Sequence, residues 1–149
     1  MRRAQLDLEL LQRVTLNQPE AMDFLANHWA VYVHEIDDLV DGDRRGPEAL
    51  LGTLARAALL YSHPFYLQHL PALRAVVLLV TNLYADSVLW EQSGEAWQRQ
   101  WADHNRHAGM EMVVAIAQIC GGYEHARAIS REHRAICYHE HHNREGVAV

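Results

Sequence analysis

The sequence predicts an all-α fold, a single-domain bundle of about six helices over residues 1–149, and three observations carry that reading. Glycine and proline are sparse, at 8 and 4 of 149 residues. Between them, apolar residues recur three and four apart rather than alternating, which is the spacing of an amphipathic helix and not of a strand. Half of the chain is hydrophobic. At this length that supplies one core burying roughly two-thirds of the unfolded surface without covalent staples.

The first helix is expected over about residues 3–15, where Leu6, Leu10, Leu11 and Val14 make one stripe. Asn17, Pro19 and Glu20 then give a capping oxygen, a proline in the first turn and an acid three residues on. The second helix runs from there to about Asp41, and Gly42 is placed to take the left-handed C-terminal conformation. Gly46-Pro47-Glu48 starts a third, which ends near Tyr61. His63-Pro64 interrupts the pattern, and a long apolar helix begins near Pro71, carries Val76 through Val80, Leu83, Tyr84, Val88 and Leu89, and stops at Ser93-Gly94. A fifth helix covers about residues 95–119 with Trp97, Trp101, Ala108, Met112, Ala115 and Ile119, and Gly121-Gly122 ends it. The last runs from about Tyr123 to His141 and leaves a frayed tail over 142–149. The second and fourth helices are apolar nearly all round, so a central position is expected for both. Trp97 and Trp101 lie one turn apart and read as core or subunit-interface residues.

Charge narrows the chemistry. The chain has no lysine; all 13 basic residues are arginine, against 19 acids, for a net charge of −6. A Walker-type lysine, a Schiff base and a kinase-type Lys–Glu pair are excluded. Phosphate would have to be met by arginine or a metal. Net acidity also argues against a nucleic-acid partner, which needs a basic face. Cys120 and Cys137 stand outside any CxxC spacing and read as free thiols of a reducing compartment. With no basic-then-apolar leader and no uncharged apolar run long enough to span a bilayer, a cytoplasmic protein without a membrane partner is expected.

The excess acid is concentrated. Asp37-Asp38-Leu39-Val40-Asp41 is a DDxxD motif, and with Glu35 and Asp43 it places five carboxylates in nine residues. At 100° per residue Asp37 and Asp41 are about 40° apart and Asp38 and Asp41 about 60° apart, so the three share a face. They also crowd the negative end of the helix dipole, at a cost of roughly 0.3–1 kcal/mol each. A hard divalent cation, magnesium or alternatively manganese, would reverse both penalties. Arg44 and Arg45 follow directly, and a solvated, arginine-balanced helix end is the plain alternative.

Two later groups are candidates to complete such a site. Asp103, His107 and Glu111 fall at i, i+4 and i+8 with His104 beside them, within about 80° of one face of the expected fifth helix. Asn82 and Asp86 are one turn apart among apolar neighbours that suggest burial, and buried polar groups have partners. Near the C-terminus, His133, Cys137 and His141 are spaced for a borderline metal, with a solvated helix end as the commoner outcome.

DDxxD on one helix, followed on a later helix by an acid and a glutamate eight residues apart, resembles the paired metal motifs of class I isoprenoid and terpenoid synthases. Asp37, Asp38 and Asp41 match the first motif letter for letter. Asp103 and Glu111 match the ends of the second, with His107 where serine or threonine is usual. The resemblance implies an all-α bundle in which magnesium binds and ionises a substrate diphosphate, with arginines such as Arg99, Arg106, Arg127 and Arg131 on the phosphates. A second likeness is to all-α MazG-type nucleoside triphosphate pyrophosphatases, of whose acid pairs Glu35-x-x-Asp38 looks like one half. That likeness implies attack by a metal-bound water instead. A phosphorylated small molecule is the expected partner in both cases. The non-enzymatic alternative is a helical assembly or interaction protein, and the apolar helix faces make a homodimer plausible.

Overall fold

A computed structural model describes the backbone of residues 8–144 and the side chains of residues 8–137. The fold is all-α: among the described residues no strand occurs and, with α2, a π-helical segment and α3 running on as one helix, there are seven helices. The elements are α1 (Leu8–Thr15), α2 (Pro19–Asp23), the π segment (Phe24–Trp29), α3 (Ala30–Asp41), α4 (Pro47–Tyr61), α5 (Pro64–Gln68), α6 (Leu70–Trp90), α7 (Ala96–Arg106) and α8 (Met110–Arg144). The chain groups into two compact units, Met1–Ala75 and Val76–Val149, divided inside α6. Leu6 of the first predicted stripe and residues 145–149 of the predicted tail lie outside the described residues.

Several boundaries follow the punctuation. Pro19 and Pro47 occupy first-turn positions, where a missing N–H is harmless. Gly42 ends α3 in the left-handed region, φ 80°. Asn17 does not cap the second helix: it sits at φ 59°, after Leu16 at φ 50°, in the turn that ends α1, and Gln18 precedes Pro19 without a side-chain cap. Asparagine tolerates that conformation better than most residues, so the same side chain serves a turn instead of a cap. His63-Pro64 does more than interrupt: it starts α5, with His63 as a capping residue. The predicted fifth helix is two. α7 ends at Arg106, and bonds from His107 N to His104 O, Ala108 N to Asn105 O and Met110 N to His107 O tighten the chain into a short connection before α8. The break predicted at Gly121-Gly122 is present as a kink inside α8, where Gly122 takes φ 80°, ψ −174°.

In the first unit, Leu11 and Val14 of α1, Ala21 of α2, Phe24, Leu25 and Trp29 of the π segment, and Leu60, Phe65, Tyr66 and Leu73 form the core. The π segment and α3 pack on α4, and α2 packs on α1 and α5. In the second unit the core is Val77, Val80, Ala102, Met112, Val113, Ile116, Ala117, Ala126 and Ile129. The expected central burial of two helices holds only in part: the continuous helix over Pro19–Asp41 gives Ala21, Phe24, Leu25 and Trp29 of its first half to the core. α3 has no fully buried residue, and α6 buries only the stripe of Leu73, Val77, Val80 and Ser87 while Leu78, Leu79, Val88 and Leu89 are exposed. Composition makes a helix apolar all round, but only the side that meets packed neighbours is buried. α6 is long and apolar enough to cross a membrane by length and composition, although no such span was expected. Arg74, Asn82 and Asp86 lie exposed along it, and such groups are costly against lipid.

Candidate metal centre

Asp23, His28 and His63 come together in the first unit. A ligand atom from each lies within 4.8 Å of the others, and this is the sole group of three or more metal-ligating side chains found among the described residues. Two of the three depend on the π segment. Residues five apart are about 140° apart around an α-helix, but the wider winding of a π-turn, closed by i→i+5 hydrogen bonds, brings them much closer to one face; Asp23 precedes the π segment and His28 lies within it. Asn27, four residues on, also reaches the aspartate, donating from Nδ2 to Asp23 Oδ1 at 2.8 Å.

The third member is delivered by α5. His63 Nδ1 accepts the Phe65 backbone N–H at 3.1 Å, the bond that caps α5. In a neutral imidazole the other nitrogen then carries the proton. His63 Nε2 accordingly donates to Asp23 Oδ2 at 2.9 Å. His28 Nε2 lies 3.5 Å from the same oxygen, and the two imidazole centroids are 4.7 Å apart. The aspartate carboxyl is held below its ordinary range, first by Asn27 and then by His63. Exposure is graded: the His63 side chain is 7% exposed, His28 21% and Asp23 50%. Phe24 packs at 5.4 Å from the His63 ring and 5.6 Å from Phe65, so an aromatic floor fixes both histidine-bearing elements. His28 Nδ1 is buried without a hydrogen-bond partner.

The separations suit a metal. Tetrahedral zinc with ligands at 2.0–2.2 Å has ligand–ligand edges of about 3.3–3.6 Å; the two histidine–aspartate separations here are 2.9 and 3.5 Å, and all three ligand atoms lie within 4.8 Å of one another. Small side-chain movements would make one centre of three ligands, open to solvent on the aspartate side.

The motif residues predicted from sequence are arranged otherwise. Asp37, Asp38 and Asp41 end α3 as expected, the first two half-buried and the third exposed, but they do not join a group of three convergent ligands. Asp38 Oδ1 lies 3.8 Å from His34 Nε2. Glu35 turns to arginine: its Oε1 is 3.3 Å from both Arg44 and Arg56, while Oε2 is buried without a partner. Asn82 and Asp86 are exposed on α6, which corrects their expected burial. The break after Arg106 takes Asp103 and Glu111 off a common helix face. Asp103 shares a cleft with Glu91, Arg99 and Arg106, whereas His107 and Glu111 line another with His104 and Arg134. Glu111 pairs with Arg134 at 2.6 Å. Arg106 is engaged by Glu91 and by Tyr84 Oη, and Arg99 donates to the Ser93 carbonyl.

Towards the C-terminus, Cys137 Sγ is 3.9 Å from His133 Nε2, while the His141 side chain lies outside the described ones. Burial, and then the neighbouring Arg134, hold the His133 imidazole below its usual pKa. Trp97 and Trp101 are about half exposed, so neither is a core residue of this chain. Compared with protein-family models, with curated proteins and with solved structures, the chain matches none.

Proposed function

We propose that this protein binds a divalent metal of borderline softness, zinc being the type case, through Asp23, His28 and His63. The observation that carries this reading is the convergence of one carboxylate and one imidazole from a π-turn with a second imidazole from the start of α5, the π-turn being a helix irregularity found frequently at functional sites. The donor set favours the metal class: imidazole suits zinc, copper, iron and nickel, whereas magnesium prefers oxygen. Three protein ligands and a half-exposed aspartate leave room for a water or substrate atom in the fourth position, the pattern of reactive rather than purely structural zinc sites.

The energetics allow it. Ligation at His28 Nε2 moves that ring's proton to the buried Nδ1, at a cost of about 1–3 kcal/mol for an unmet donor. Four-ligand structural zinc sites gain roughly 10–16 kcal/mol, which leaves a three-ligand centre a margin. Magnesium on Asp37, Asp38 and Asp41, and with it diphosphate chemistry, is supported by the motif letters alone. Calorimetric titration separates the two: one equivalent of zinc binding more tightly than magnesium supports the proposed centre, and magnesium binding lost in Asp38→Ala with no zinc response rejects it.

A second reading, helical assembly, is favoured by Leu50, Leu51, Leu54 and Leu59 of α4 and Leu78, Leu79 and Leu89 of α6, all more than half exposed. Exposed apolar surface on this scale marks contact surfaces. A monomeric mass by light scattering at micromolar concentration removes this reading.

A further inference from the structure

We infer that metal occupancy at Asp23–His28–His63 is coupled to the N-terminal cap of α5, because metal on His63 Nε2 and the capping bond at Nδ1 exclude one another. The inference rests on the metal-binding reading above. His63 is the one side chain that belongs to both: Nε2 faces the Asp23 carboxylate at 2.9 Å, and Nδ1 accepts the Phe65 N–H at 3.1 Å. A neutral imidazole has a single ring proton. Without metal that proton sits on Nε2 and is donated to Asp23, leaving the Nδ1 lone pair for the cap.

A metal ligated by Nε2 takes the lone pair there, and the ring proton must move to Nδ1. The ring stays neutral and no proton is gained or lost. An N–H now points at the Phe65 N–H, two donors face each other, and the capping bond is lost. Keeping both contacts would require an imidazolate. His63 is side-chain buried and its ring is packed against Phe24 and His28, so it has little room to turn aside and spare the cap. His63 is also the sole side-chain cap of α5. By linkage, whatever the cap contributes to α5 is subtracted from metal affinity, and metal loosens the first turn of α5 by the same factor. Phe65 and Tyr66 anchor α5 in the core, so the response is confined to its first turn, not to undocking of the helix.

The test is ¹⁵N nuclear magnetic resonance of the whole protein with and without one equivalent of zinc. It follows the two ring nitrogens of each histidine and the hydrogen exchange of the Phe65 amide. Without metal, His63 Nδ1 is expected to carry the resonance of an unprotonated nitrogen, and the Phe65 amide to be protected. With zinc, His63 Nδ1 becomes the protonated nitrogen and the Phe65 amide exchanges at least about five-fold faster, the factor equivalent to one typical capping bond. Zinc-dependent shifts of the His28 and His63 rings with an unchanged Phe65 amide overturn the coupling and leave the metal site standing. No zinc-dependent shift of either ring overturns the metal site and the coupling together.

Discussion

His63 Nε2 and Asp23 Oδ2, forty residues apart in sequence, lie 2.9 Å from each other and tie the start of α5 to the start of the π segment. The histidine is nearly buried and the aspartate half exposed. Asp23→Ala therefore strands an imidazole N–H that water reaches poorly. Urea unfolding should show a loss of about 1–2 kcal/mol, within the range for an unmet buried donor. An unchanged midpoint would mean that the pair contributes nothing to the fold.

Glu35 is expected to matter for stability and not for metal. Its side chain is 14% exposed and its Oε1 serves Arg44 and Arg56, which are each more than a third exposed. Solvent screening at the arginines keeps the pair well below the value of a fully buried bridge. Glu35→Ala should cost about 1 kcal/mol in urea unfolding and leave zinc affinity within two-fold. A large fall in affinity would return Glu35 to the metal shell.

Gly122 sits at φ 80°, ψ −174°, a region essentially reserved for glycine, and a Cβ there meets nothing within 4 Å. The penalty for Gly122→Ala is thus one of backbone alone, about 1–3 kcal/mol. Thermal unfolding of this variant beside Gly94→Ala, whose added Cβ also meets open space, checks it. Equal stability of the two would deny the kink in α8.

The lowered pKa of His133 has a definite sign. Its imidazole is disfavoured as a cation in the folded state by burial and by Arg134, with Glu132 opposing. The unfolded chain therefore takes up the proton first, and stability present above the ordinary histidine pKa of about 6.5 is lost as pH falls below it towards the folded value. The fall in urea midpoint between pH 7.5 and 5.5 should be smaller in His133→Gln than in the parent protein. An identical or steeper fall in the variant would contradict the assignment.

The helical class was legible because periodicity and punctuation are local. Proline at helix starts, glycine after Asp41 and the Gly121-Gly122 break all act through their own backbone preferences, and the structure has them in place. Which side of α6 would be covered was not legible, because burial depends on partners that an apolar helix does not specify. Asp103, His107 and Glu111 share one face only if residues 107–109 are helical, and Gly109 is the one local hint of a break there. Asp23, His28 and His63 escaped for two reasons. A spacing of five falls off any α-helical face and becomes meaningful only in a π-turn, and His63 arrives from a helix forty residues away. The His63-Pro64 pair marked a boundary and gave no sign that the same imidazole would reach across to Asp23.

Cobalt substitution tests the central claim most directly. One equivalent of Co²⁺ added to the protein should develop visible d–d absorption that saturates at a 1:1 ratio, is displaced by zinc and is absent in His28→Ala, a variant that leaves the His63 cap in place. A spectrum no different from cobalt in buffer, or one that survives His28→Ala unchanged, would contradict a metal centre at Asp23, His28 and His63.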